Sequence, residues 1–441
     1  MKRISLVNHT TDVLVWGSCD LVEHEILSPS VSTSISLSKF HTSVTIAVVS
    51  ASANVDKEWA VPAKAFTIRL PLSLGASWKA VEVEKGCPWR IYQSRVSKKH
   101  HRLLILPRRD MSTFLAEMPD SLPLSLLLLP GTHDTMAFYG WPISQCQSLT
   151  TPLAVQLQFG IRVLDIRLAV IENRLISYHG AYPERAPFQE ILATVHAFLT
   201  ASTTCHETIV MSIKQEDFMK TSIVLFSQLV RDEILHGPGG RDMWFFENRI
   251  PHLGEVRGKV VLFSRFGGDG SDWEGGLEGL GIHPTAWPDS SKWGFTWQCK
   301  DTLVRTHDWY NIPSFLSIPE KTELSTQILQ PDDPPFPTLS ISYFSASSFP
   351  LAFPPTIAQG FGWPRFGLGV EGVNTRVGKW LLDLFGGNVR NTDKEGSAGD
   401  EVRIRGWTLM DFFKDPGDNA LVPLLVECNF RGRKEGEEGW L

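Results

Sequence analysis

A Thr-His-Asp triplet, residues 132–134, stands where a run of leucines stops in the stretch LLLLPGTHD. Four consecutive leucines indicate a buried strand, and Pro130-Gly131 is typical of its end. Histidine titrates near neutral pH and a neighbouring carboxylate can orient it, so the two residues could move protons. Taken alone, such a triplet is more typical of a turn capped by its aspartate.

Comparable polar residues follow other short apolar runs after residue 120. In a barrel of alternating strands and helices, the working residues lie at the carboxyl ends of the strands. The strand 339–345 is the exception, since it offers only Ser345 and Ser347. The candidates at the predicted strand ends are His133, Asp134, Asp165, Arg167, His179, Lys214, Glu216, Arg265, His307, Asp308, Tyr310 and Asp411. Each has an ordinary structural explanation, but their recurrence favours one shared site.

These residue types form a coherent chemical set. Of two histidines held by carboxylates, one can be neutral while the other is protonated at the same pH, so the two can act as base and acid. An arginine between them can hold an anionic oxygen and offset the charge that develops in a transition state. Together they are the equipment of a phosphodiesterase that works by in-line displacement without an obligatory metal ion.

Size and charge narrow the class of protein. The chain has 441 residues, of which 42% are hydrophobic and 20% charged, enough for two or three domains or for one large barrel with a smaller partner. Its formal net charge is −6 and no dense basic run occurs, which argues against a nucleic-acid partner. The short basic cluster at 98–102 is interpreted as a solvated loop.

The sequence predicts a cytoplasmic location. The basic start of the chain is followed by polar residues at 8–10 and 12, which interrupt the apolar core of a signal peptide. No apolar run is long enough to span a bilayer. The six cysteines, at positions 19, 87, 146, 205, 299 and 428, lack paired spacing, which is typical of a reducing compartment. Contact with a membrane surface stays open.

The first 105 residues are predicted to form a small antiparallel β-sandwich, because short alternating runs recur between turn residues. The runs cover 5–7, 13–16, 44–48, 66–70, 78–83 and 89–92. No catalytic cluster is visible among them.

From about residue 120, apolar runs alternate with helical patterns, which predicts a parallel sheet or (β/α) barrel. Strands are predicted at 125–130, 161–167, 207–213, 259–264, 293–298, 339–345 and 404–410. Helices are predicted from Pro187 to 199 and over 221–235. The segments 331–337 and 386–401 are predicted loops, and the tail 431–441 is predicted to be disordered.

Seven motifs carry a resemblance to a known family. They are GTHDTM, GIRVLDIR, an isolated His-Gly, ETIVMSIKQE, LGEVRGKVVLF, HDWY and GWTLMDF. In order and rough spacing they resemble the catalytic X region of phosphatidylinositol-specific phospholipase C of the bacterial, single-barrel type, over residues 115 to 415. The resemblance implies an α/β fold, with a distorted or incomplete (β/α)8 TIM-type barrel over 115–430 behind the β-sandwich-like domain 1–105.

The resemblance also implies a reaction and a set of roles. The enzyme would cleave phosphatidylinositol to diacylglycerol and a cyclic inositol phosphate. The implied catalytic roles are His133 as general base oriented by Asp411, His179 as general acid with Asp134 behind it, and Arg167 on a phosphate oxygen with support from Asp165. The implied inositol-binding residues are Lys214, Arg265, Asp308 and Tyr310, with Glu216 as a supporting residue.

Arg167 decides the prediction about metal ions. In calcium-dependent members of the family, a carboxylate stands at this position and the ion replaces the guanidinium. An arginine here repels a cation, so we predict neither a metal nor another cofactor. The implied partner is an inositol phospholipid at a membrane surface, contacted peripherally by a monomer.

Three departures from the family pattern leave head-group selectivity open. Leu168 replaces a glycine, Gln215 replaces the second lysine of Lys-Lys-Glu, and Thr306-His307 replace Val-Gln. The substrate could be phosphatidylinositol, a glycosylated form of it or a related inositol lipid.

Two other functions stay in view. Because Thr-His-Asp occurs twice, at 132–134 and 306–308, the site could belong to a metal-dependent phosphodiesterase on a related barrel. The Glu-x-Asp ligands of glycerophosphodiester phosphodiesterases are missing, however, and Arg167 argues against a metal. The barrel could instead be a non-catalytic lipid-binding module, although none of the expected catalytic groups is lost.

Two aromatic segments have two interpretations. SSFPLAFPP at 347–355 and WGFTW at 293–297 could insert into a membrane from the barrel rim or belong to the core. A membrane-targeting or adaptor role for residues 1–105 is a further hypothesis.

Overall fold

The computed structural model describes residues 2–17, 24–37, 43–48, 65–69, 77–331, 337–364, 368–387, 390–391, 403–417 and 419–433. The chain forms two compact units. The first contains residues 1–109 with the segments 363–368 and 378–402, and the second contains 110–362, 369–377 and 403–441. The predicted domains, 1–105 and 115–430, differ from these units because the segments 363–368 and 378–402 belong to the first unit.

The first unit is built from two sheets. Its strands are β1 Lys2–Asn8, β2 Leu14–Gly17, β3 His24–Leu27, β4 Val31–Leu37, β5 Ser43–Val48, β6 Ala65–Arg69, β7 Trp78–Val81, β8 Trp89–Ser97 and β9 His100–Pro107, joined later in the chain by β22 Arg390–Asn391. One sheet has the order β22-β4-β1-β9-β8-β7 and the other β3-β2-β5-β6. β1 pairs in parallel with β9 and β22 in parallel with β4, so the first sheet is mixed, whereas the second is purely antiparallel.

Both sheets share one apolar core, which makes the unit sandwich-like as predicted. Leu6 and Ile105 come from one sheet, Trp16 and Phe66 from the other, and all four are buried. Phe66 meets Trp89 edge to face across the core at 5.5 Å between ring centroids. The basic cluster at 98–102 is only partly a loop, since β9 begins at its third residue.

The second unit alternates strands with helices. Its strands are β10 Leu128–Thr132, β11 Val163–Ile171, β12 Arg174–His179, β13 Tyr182–Pro187, β14 Ile209–Gln215, β15 Trp244–Phe245, β16 Val260–Arg265, β17 Phe295–Cys299, β18 Thr302–His307, β19 Thr338–Tyr343 and β23 Gly406–Met410. The pair β20 Gly360–Trp363 and β21 Leu368–Glu371 forms a separate two-stranded sheet.

The described part of the chain contains eight α-helices. They are α1 Leu153–Gln158, α2 Phe188–Thr200, α3 Ile223–His236, α4 Leu253–Val256, α5 Ile318–Gln327, α6 Pro354–Gln359, α7 Val373–Gly387 and α8 Leu421–Glu427. The predicted helices at 187–199 and 221–235 correspond to α2 and α3. Pro187 precedes α2 as its cap residue, and the Ser222 hydroxyl caps α3 by accepting the Leu225 N–H.

The large sheet of this unit is an incomplete barrel, as predicted. Its order is β15-β16-β14-β11-β10-β23-β19-β18-β17, and every neighbouring pair is parallel except β17 with β18. The edge strands β15 and β17 do not pair with each other in the described part of the chain. Parallel strands that curl this way bring their carboxyl ends to one face.

One predicted barrel strand was wrong. The segment 293–298 overlaps β17, which is only the antiparallel partner of β18, and β18 itself pairs in parallel with β19. Both segments alternate in the same way, and alternation does not distinguish a hairpin partner from a barrel strand. Most of the predicted loops 331–337 and 386–401 and of the tail 431–441 lies outside the described residues.

The leucine run also ends differently from the prediction. Residues 124–126 form a 3-10 turn, and β10 then continues through Pro130-Gly131 to Thr132. The proline carbonyl still accepts the N–H of Arg162, at 2.7 Å. A side chain at Gly131 would place its Cβ 2.6 Å from Val163 Cβ and 2.7 Å from the Thr408 carbonyl oxygen. Glycine is therefore required because two neighbouring strands approach β10 here.

No helix in the described residues is both long and apolar enough to cross a membrane. The five cysteines of the described chain carry free thiols.

The close approach at Gly131 makes a testable prediction. Gly131→Ala should destabilise the protein by about 1–3 kcal/mol, because the added methyl group overpacks the sheet between two backbones. Thermal unfolding followed by circular dichroism measures the loss. Gly387→Ala is the matched control, since a Cβ there meets no heavy atom within 4 Å. Equal midpoints for the two variants would contradict the packing argument.

Candidate active site

The predicted residues meet at the carboxyl end of the parallel sheet. The contributions are His133 and Asp134 after β10, Asp165 and Arg167 in β11, His179 at the end of β12, Lys214 and Glu216 from β14, Arg265 at the end of β16, Asp308 and Tyr310 after β18, and Asp411 after β23. His307 is the candidate that the structure keeps apart. Its nitrogens contact the Lys292 carbonyl and the Ser325 hydroxyl, and burial lowers its pKa to about 3.

His133 is held at both ring nitrogens. Nδ1 lies 2.8 Å from Asp411 Oδ1, and Nε2 lies 2.9 Å from Arg167 Nη2. A guanidinium has only donors, so Nε2 accepts this hydrogen bond and the proton of the neutral ring sits on Nδ1, where it is donated to Asp411. Burial, reinforced by the charge of Arg167, lowers the pKa of His133 well below its usual value. The ring is a neutral base whose lone pair faces Arg167.

Asp411 is fixed from behind. Asn374 donates from Nδ2 to the backbone carbonyls of Asp411 and Phe412, at 2.9 and 3.1 Å. Burial and the charge of Asp134 raise the pKa of the Asp411 carboxyl. A buried carboxylate has lost its hydration and is stabilised strongly by a hydrogen-bond donor. This strengthens the hydrogen bond that Asp411 accepts from the Nδ1–H of His133.

Arg167 lies at the centre of the site among three carboxylates. Its Nε is 2.6 Å from Asp134 Oδ1, its Nη2 is 3.2 Å from Asp165 Oδ2, and its Nη1 is 3.2 Å from Glu216 Oε1. Burial alone would lower the pKa of Arg167, but the three anions outweigh it and raise it. The guanidinium is a permanent, oriented cation in a nearly dry pocket, and such a cation is suited to an anionic oxygen.

Asp165 stays ionised for a related reason. Burial opposes its charge, but Arg167 and Arg265 outweigh burial and lower its pKa. Its Oδ2 also accepts the backbone N–H of Asp134, at 3.2 Å. Asp165 therefore positions both the arginine and the Asp134 backbone.

Asp134 links the arginine to the second histidine. Its backbone adopts a left-handed conformation with a φ of 42°, which a short polar side chain tolerates. Its Oδ2 lies 3.3 Å from Nε2 of His179 and 3.3 Å from Nε2 of His133. Burial raises the pKa of Asp134 to about 6, with Arg167 and His179 opposing the shift. The Asp134 carboxyl therefore titrates near neutral pH, 3.3 Å from Nε2 of His179.

His179 is oriented by a backbone carbonyl. Its Nδ1 lies 2.6 Å from the Ser144 oxygen, which can only accept, so Nδ1 carries a proton and Nε2 faces Asp134. The two histidine rings are 6.4 Å apart between centroids and nearly perpendicular. Both rings turn Nε2 toward the Asp134 carboxyl, which lies 3.3 Å from each and contacts Arg167.

The remaining predicted residues form a polar wall beside Arg167. Lys214 Nζ is 3.3 Å from Glu216 Oε1, and Arg167 and burial lower the pKa of Lys214. Arg265 lies 4.1 Å above the Trp287 ring, whose Nε1 donates to Asp308 Oδ2 at 2.9 Å. This wall offers both cations and carboxylates, the partners that neighbouring hydroxyl groups need.

Sequence reasoning missed several residues of the site. Tyr343 ends β19, its ring centroid is 6.0 Å from that of His133, and its hydroxyl lies 3.4 Å from Arg265. The prediction that this strand offers only serines was therefore wrong, although Tyr343 lies within the predicted strand 339–345. Trp287, Cys146 and Glu184 lie in loops or in a hairpin, where no strand-end rule points to them.

Lys321 was also missed. It is fully buried on α5 and donates to the Trp309 carbonyl at 2.9 Å, between the neighbours Asp308 and Tyr310. Burial lowers its pKa to about 7, and the nearby Asp308 and Asp411 oppose the shift. It braces the segment that carries two predicted binding residues.

Three donor groups could in principle hold a metal ion. Among the described residues they are His133 with Cys146 and Asp411, Asp134 with Cys146 and His179, and His133 with Asp134 and Asp165; within each, the donor atoms lie within 4.8 Å of one another. The second Thr-His-Asp, at 306–308, belongs to none of them. Arg167 already contacts two of these carboxylates, so a cation there would meet a fixed positive charge.

The comparisons with known proteins agree with this geometry. Residues 132–266 match the family model described as "Phosphatidylinositol-specific phospholipase C, X domain". A curated relative, the 1-phosphatidylinositol phosphodiesterase of Listeria monocytogenes, is 33% identical over 160 residues, which are 34% of this chain and 48% of the relative. The chain thus spans about half the length of that relative in the sequence match. The predicted resemblance to this family is confirmed.

Solved structures show the same fold. A Staphylococcus aureus phosphatidylinositol-specific phospholipase C, from work on modulation of its membrane binding, superposes with a TM-score of 0.54 and 20% identity, covering 73% of this chain and 98% of that one. The Listeria monocytogenes enzyme gives a TM-score of 0.51 at 24% identity, covering 73% of this chain and 99% of that one. The predicted fold class, an incomplete TIM-type barrel, is confirmed.

The contacts of His133 predict its tautomer. In the resting protein the ring should be neutral, with its proton on Nδ1, from pH 7 down to below its ordinary titration range, because both burial and Arg167 disfavour the cation. Nitrogen-15 NMR of the histidine rings distinguishes the two nitrogens. Arg167→Gln should move the titration of this ring to higher pH by removing the neighbouring charge. An imidazolium at pH 6 in the wild type would contradict the assignment.

Proposed function

We propose that the protein is a phosphatidylinositol-specific phospholipase C that works without a metal ion and releases diacylglycerol and inositol 1,2-cyclic phosphate. The observation that carries the proposal is the position of Arg167. Its guanidinium contacts the lone-pair nitrogen of His133 and, through Asp134, reaches His179. A phosphodiester held by this arginine would have a base on one side and an acid on the other. The match to the X domain and the relative's activity support the same reaction class.

In the proposed reaction, His133 removes the proton from the inositol 2-hydroxyl. The resulting oxygen attacks phosphorus, the bond from phosphorus to the diacylglycerol oxygen breaks, and His179 delivers a proton to that leaving oxygen. Because attacker and phosphorus belong to one molecule, the step avoids much of the entropic cost of a bimolecular reaction. Asp411 stabilises the imidazolium that forms on His133, and Arg167 stabilises charge on a non-bridging oxygen.

The polar wall supplies the proposed inositol site. Lys214, Arg265 and Asp308 would bind ring hydroxyls, while Tyr310, whose ring centroid is 5.4 Å from that of His133, would flank the inositol. Glu216 holds Lys214 and Arg167 and acts as a support. The same two histidines with exchanged roles would open the cyclic product with water, more slowly because water must first be captured.

The two competing functions make different demands. A metal-dependent phosphodiesterase would need a cation among carboxylates that here contact Arg167, and its activity would disappear on chelation. A non-catalytic lipid-binding module would not need a neutral His133 fixed in the tautomer of a base. The geometry favours the proposed enzyme over both.

Phosphorus NMR tests the reaction directly. With phosphatidylinositol micelles in excess EDTA, the wild type should produce the cyclic phosphate signal, and His133→Ala should be slower by about 10²–10⁴-fold because it lacks the base. Asp411→Asn retains the His133 imidazole but removes the carboxylate that orients it, so its rate should lie between those of the wild type and His133→Ala. Activity that appears only after calcium or zinc is added would refute the metal-independent mechanism. Binding without turnover would favour the lipid-binding module.

We further propose peripheral membrane contact through the rim of the barrel. Loops at the carboxyl ends of the strands carry exposed apolar side chains, namely Trp141, Ile143, Leu149, Phe218, Met219, Trp293, Leu316, Phe349 and Leu351. The aromatic segments 293–297 and 347–355 each contain both exposed residues, which could enter a membrane, and buried residues, which belong to the core. Trp293 and Phe349 are about three-quarters exposed at 77% and 76%, whereas Trp297 is buried. Apolar side chains around the mouth of a lipid-cleaving site can enter the interface.

Some predictions about the whole protein remain proposals. A monomeric state and a cytoplasmic location follow only from the sequence, although the free thiols of the described cysteines suit a reducing compartment. A membrane or adaptor role for residues 1–105 is likewise a hypothesis.

Rim insertion can be separated from chemistry. The double variant Trp141→Ala, Phe349→Ala should bind phosphatidylinositol vesicles at least about tenfold more weakly, because each aromatic group contributes roughly 1–3 kcal/mol when buried. Its hydrolysis of water-soluble cyclic inositol phosphate should be unchanged. Leu235→Ala, on the last turn of α3, is the control for an exposed apolar residue far from the rim. Unchanged vesicle binding in the double variant would eliminate this rim as the contact surface.

A further inference from the structure

Glu184 is a buried carboxylate beside the catalytic centre to which neither the motifs nor the proposed reaction gives a role. It lies in β13, and only 3% of it is exposed. Its Oε2 accepts the backbone N–H groups of Phe138 and Tyr139, at 2.8 and 2.9 Å. Its Oε1 is buried without a hydrogen-bond donor among the described residues. Such burial raises the pKa of Glu184 to about 7, opposed by the two N–H donors and by His179. Burying a carboxyl oxygen without a hydrogen-bond donor costs free energy, so the presence of Glu184 here indicates a function.

The two N–H groups belong to the loop that follows the catalytic Asp134. This loop turns tightly at Gly140, whose carbonyl accepts the N–H groups of Ile143 and Ser144, at 2.9 and 3.0 Å. The carbonyl of Ser144 in turn lies 2.6 Å from Nδ1 of His179. The Gly140 carbonyl, next to the loop start that Glu184 holds, thus binds the N–H of Ser144, the residue whose carbonyl orients the histidine.

Glu184 and His179 also share one hairpin. His179 ends β12 and pairs directly with Tyr182 at the start of β13, two residues before Glu184. The contacts therefore form a closed ring: hairpin, Glu184, the loop from Phe138 to Ser144, and His179 back on the hairpin. Besides the glutamate, the loop meets the hairpin at two places among the described residues. The Arg185 guanidinium lies 4.4 Å from the centroid of the Tyr139 ring, and His179 contacts the Ser144 carbonyl and the Cys146 thiol.

We propose that Glu184 is a positioning residue for the general acid, because it clamps the 138–144 loop to the β12–β13 hairpin and so holds the Ser144 carbonyl against Nδ1 of His179. This inference rests on the proposed function, in which His179 protonates the leaving oxygen. The acid must point its Nε2 at that oxygen, and ring orientation is set by what Nδ1 contacts. Loss of the clamp should therefore impair proton delivery more than any other part of the reaction.

Substrates that differ in the leaving group isolate this step. An inositol phosphodiester with an alkyl leaving group needs protonation as its bond breaks, whereas one with a p-nitrophenyl group departs as a stable anion. Glu184→Leu should slow kcat on the alkyl substrate by about 10- to 100-fold, within the range that general acid catalysis supplies. It should change turnover of the nitrophenyl substrate by less than about threefold. His179→Ala is the reference variant. It lacks the acid altogether, so it should show the largest difference in slowing between the alkyl and the nitrophenyl substrate.

Two conservative variants keep the test valid if Glu184→Leu does not fold. Glu184→Gln retains an oxygen that accepts both N–H groups and should remain near wild type on both substrates. Glu184→Asp withdraws the carboxyl by one methylene group and should show the leaving-group selectivity in weaker form. Glu207→Gln is the matched control for a buried carboxylate outside the site, since Glu207 pairs with buried Arg162 at 2.8 Å. It should alter stability without selectivity between substrates.

The outcomes are distinguishable. Equal slowing of both substrates by Glu184→Leu or Glu184→Asp, or no slowing of either, would overturn the positioning role while the wild type remains an active phosphodiesterase. A wild type that is inactive on both substrates would overturn the proposed function, and this inference with it. Selective slowing of the alkyl substrate, rescued in Glu184→Gln, is the expected result.

Discussion

The site depends on one buried guanidinium. Arg167 is in contact with three carboxylates and the lone pair of a histidine, so its charge is balanced in a pocket that water barely reaches. Removing one partner of such a buried set typically costs about 3–5 kcal/mol, because the remaining charge is left uncompensated. The carboxylates come from β10, β11 and β14, which pair as neighbours in the parallel sheet. The order of the strands is therefore the condition for the charge balance.

This balance also separates the two proton-transfer groups. Burial and Arg167 lower the pKa of His133, whereas burial raises that of Asp134 to about 6. The result is a neutral base on one side of the arginine and, on the other, a carboxyl that titrates near neutral pH beside His179. Opposed shifts of this kind allow acid and base to coexist at one pH. The guanidinium fixes the geometry of the site, whereas burial and the charge of Arg167 together set the protonation.

Sequence reasoning identified most of the site and misplaced parts of its frame. The rule that chemistry lies at strand ends found eleven residues that converge, but it also selected His307, whose ring turns to Ser325 and the Lys292 carbonyl. It passed over Tyr343 at the end of β19, and it had no means of finding Glu184 in a hairpin. The predicted strand 293–298 fell on β17, and only pairing showed that the barrel strand is β18, which was not predicted.

The sequence by itself determined the alternating strands and helices, the sandwich-like first domain and the residues available for chemistry, because periodicity and residue type are local properties. The tautomer of His133, the charge balance of Arg167 and the clamp at Glu184 were decided by the tertiary structure alone. Each depends on atoms that are 33 to 278 residues apart in the chain and meet at 2.6–2.9 Å in the fold. Hydrogen bonds and desolvation act over such distances in space, and no local pattern in the chain records them.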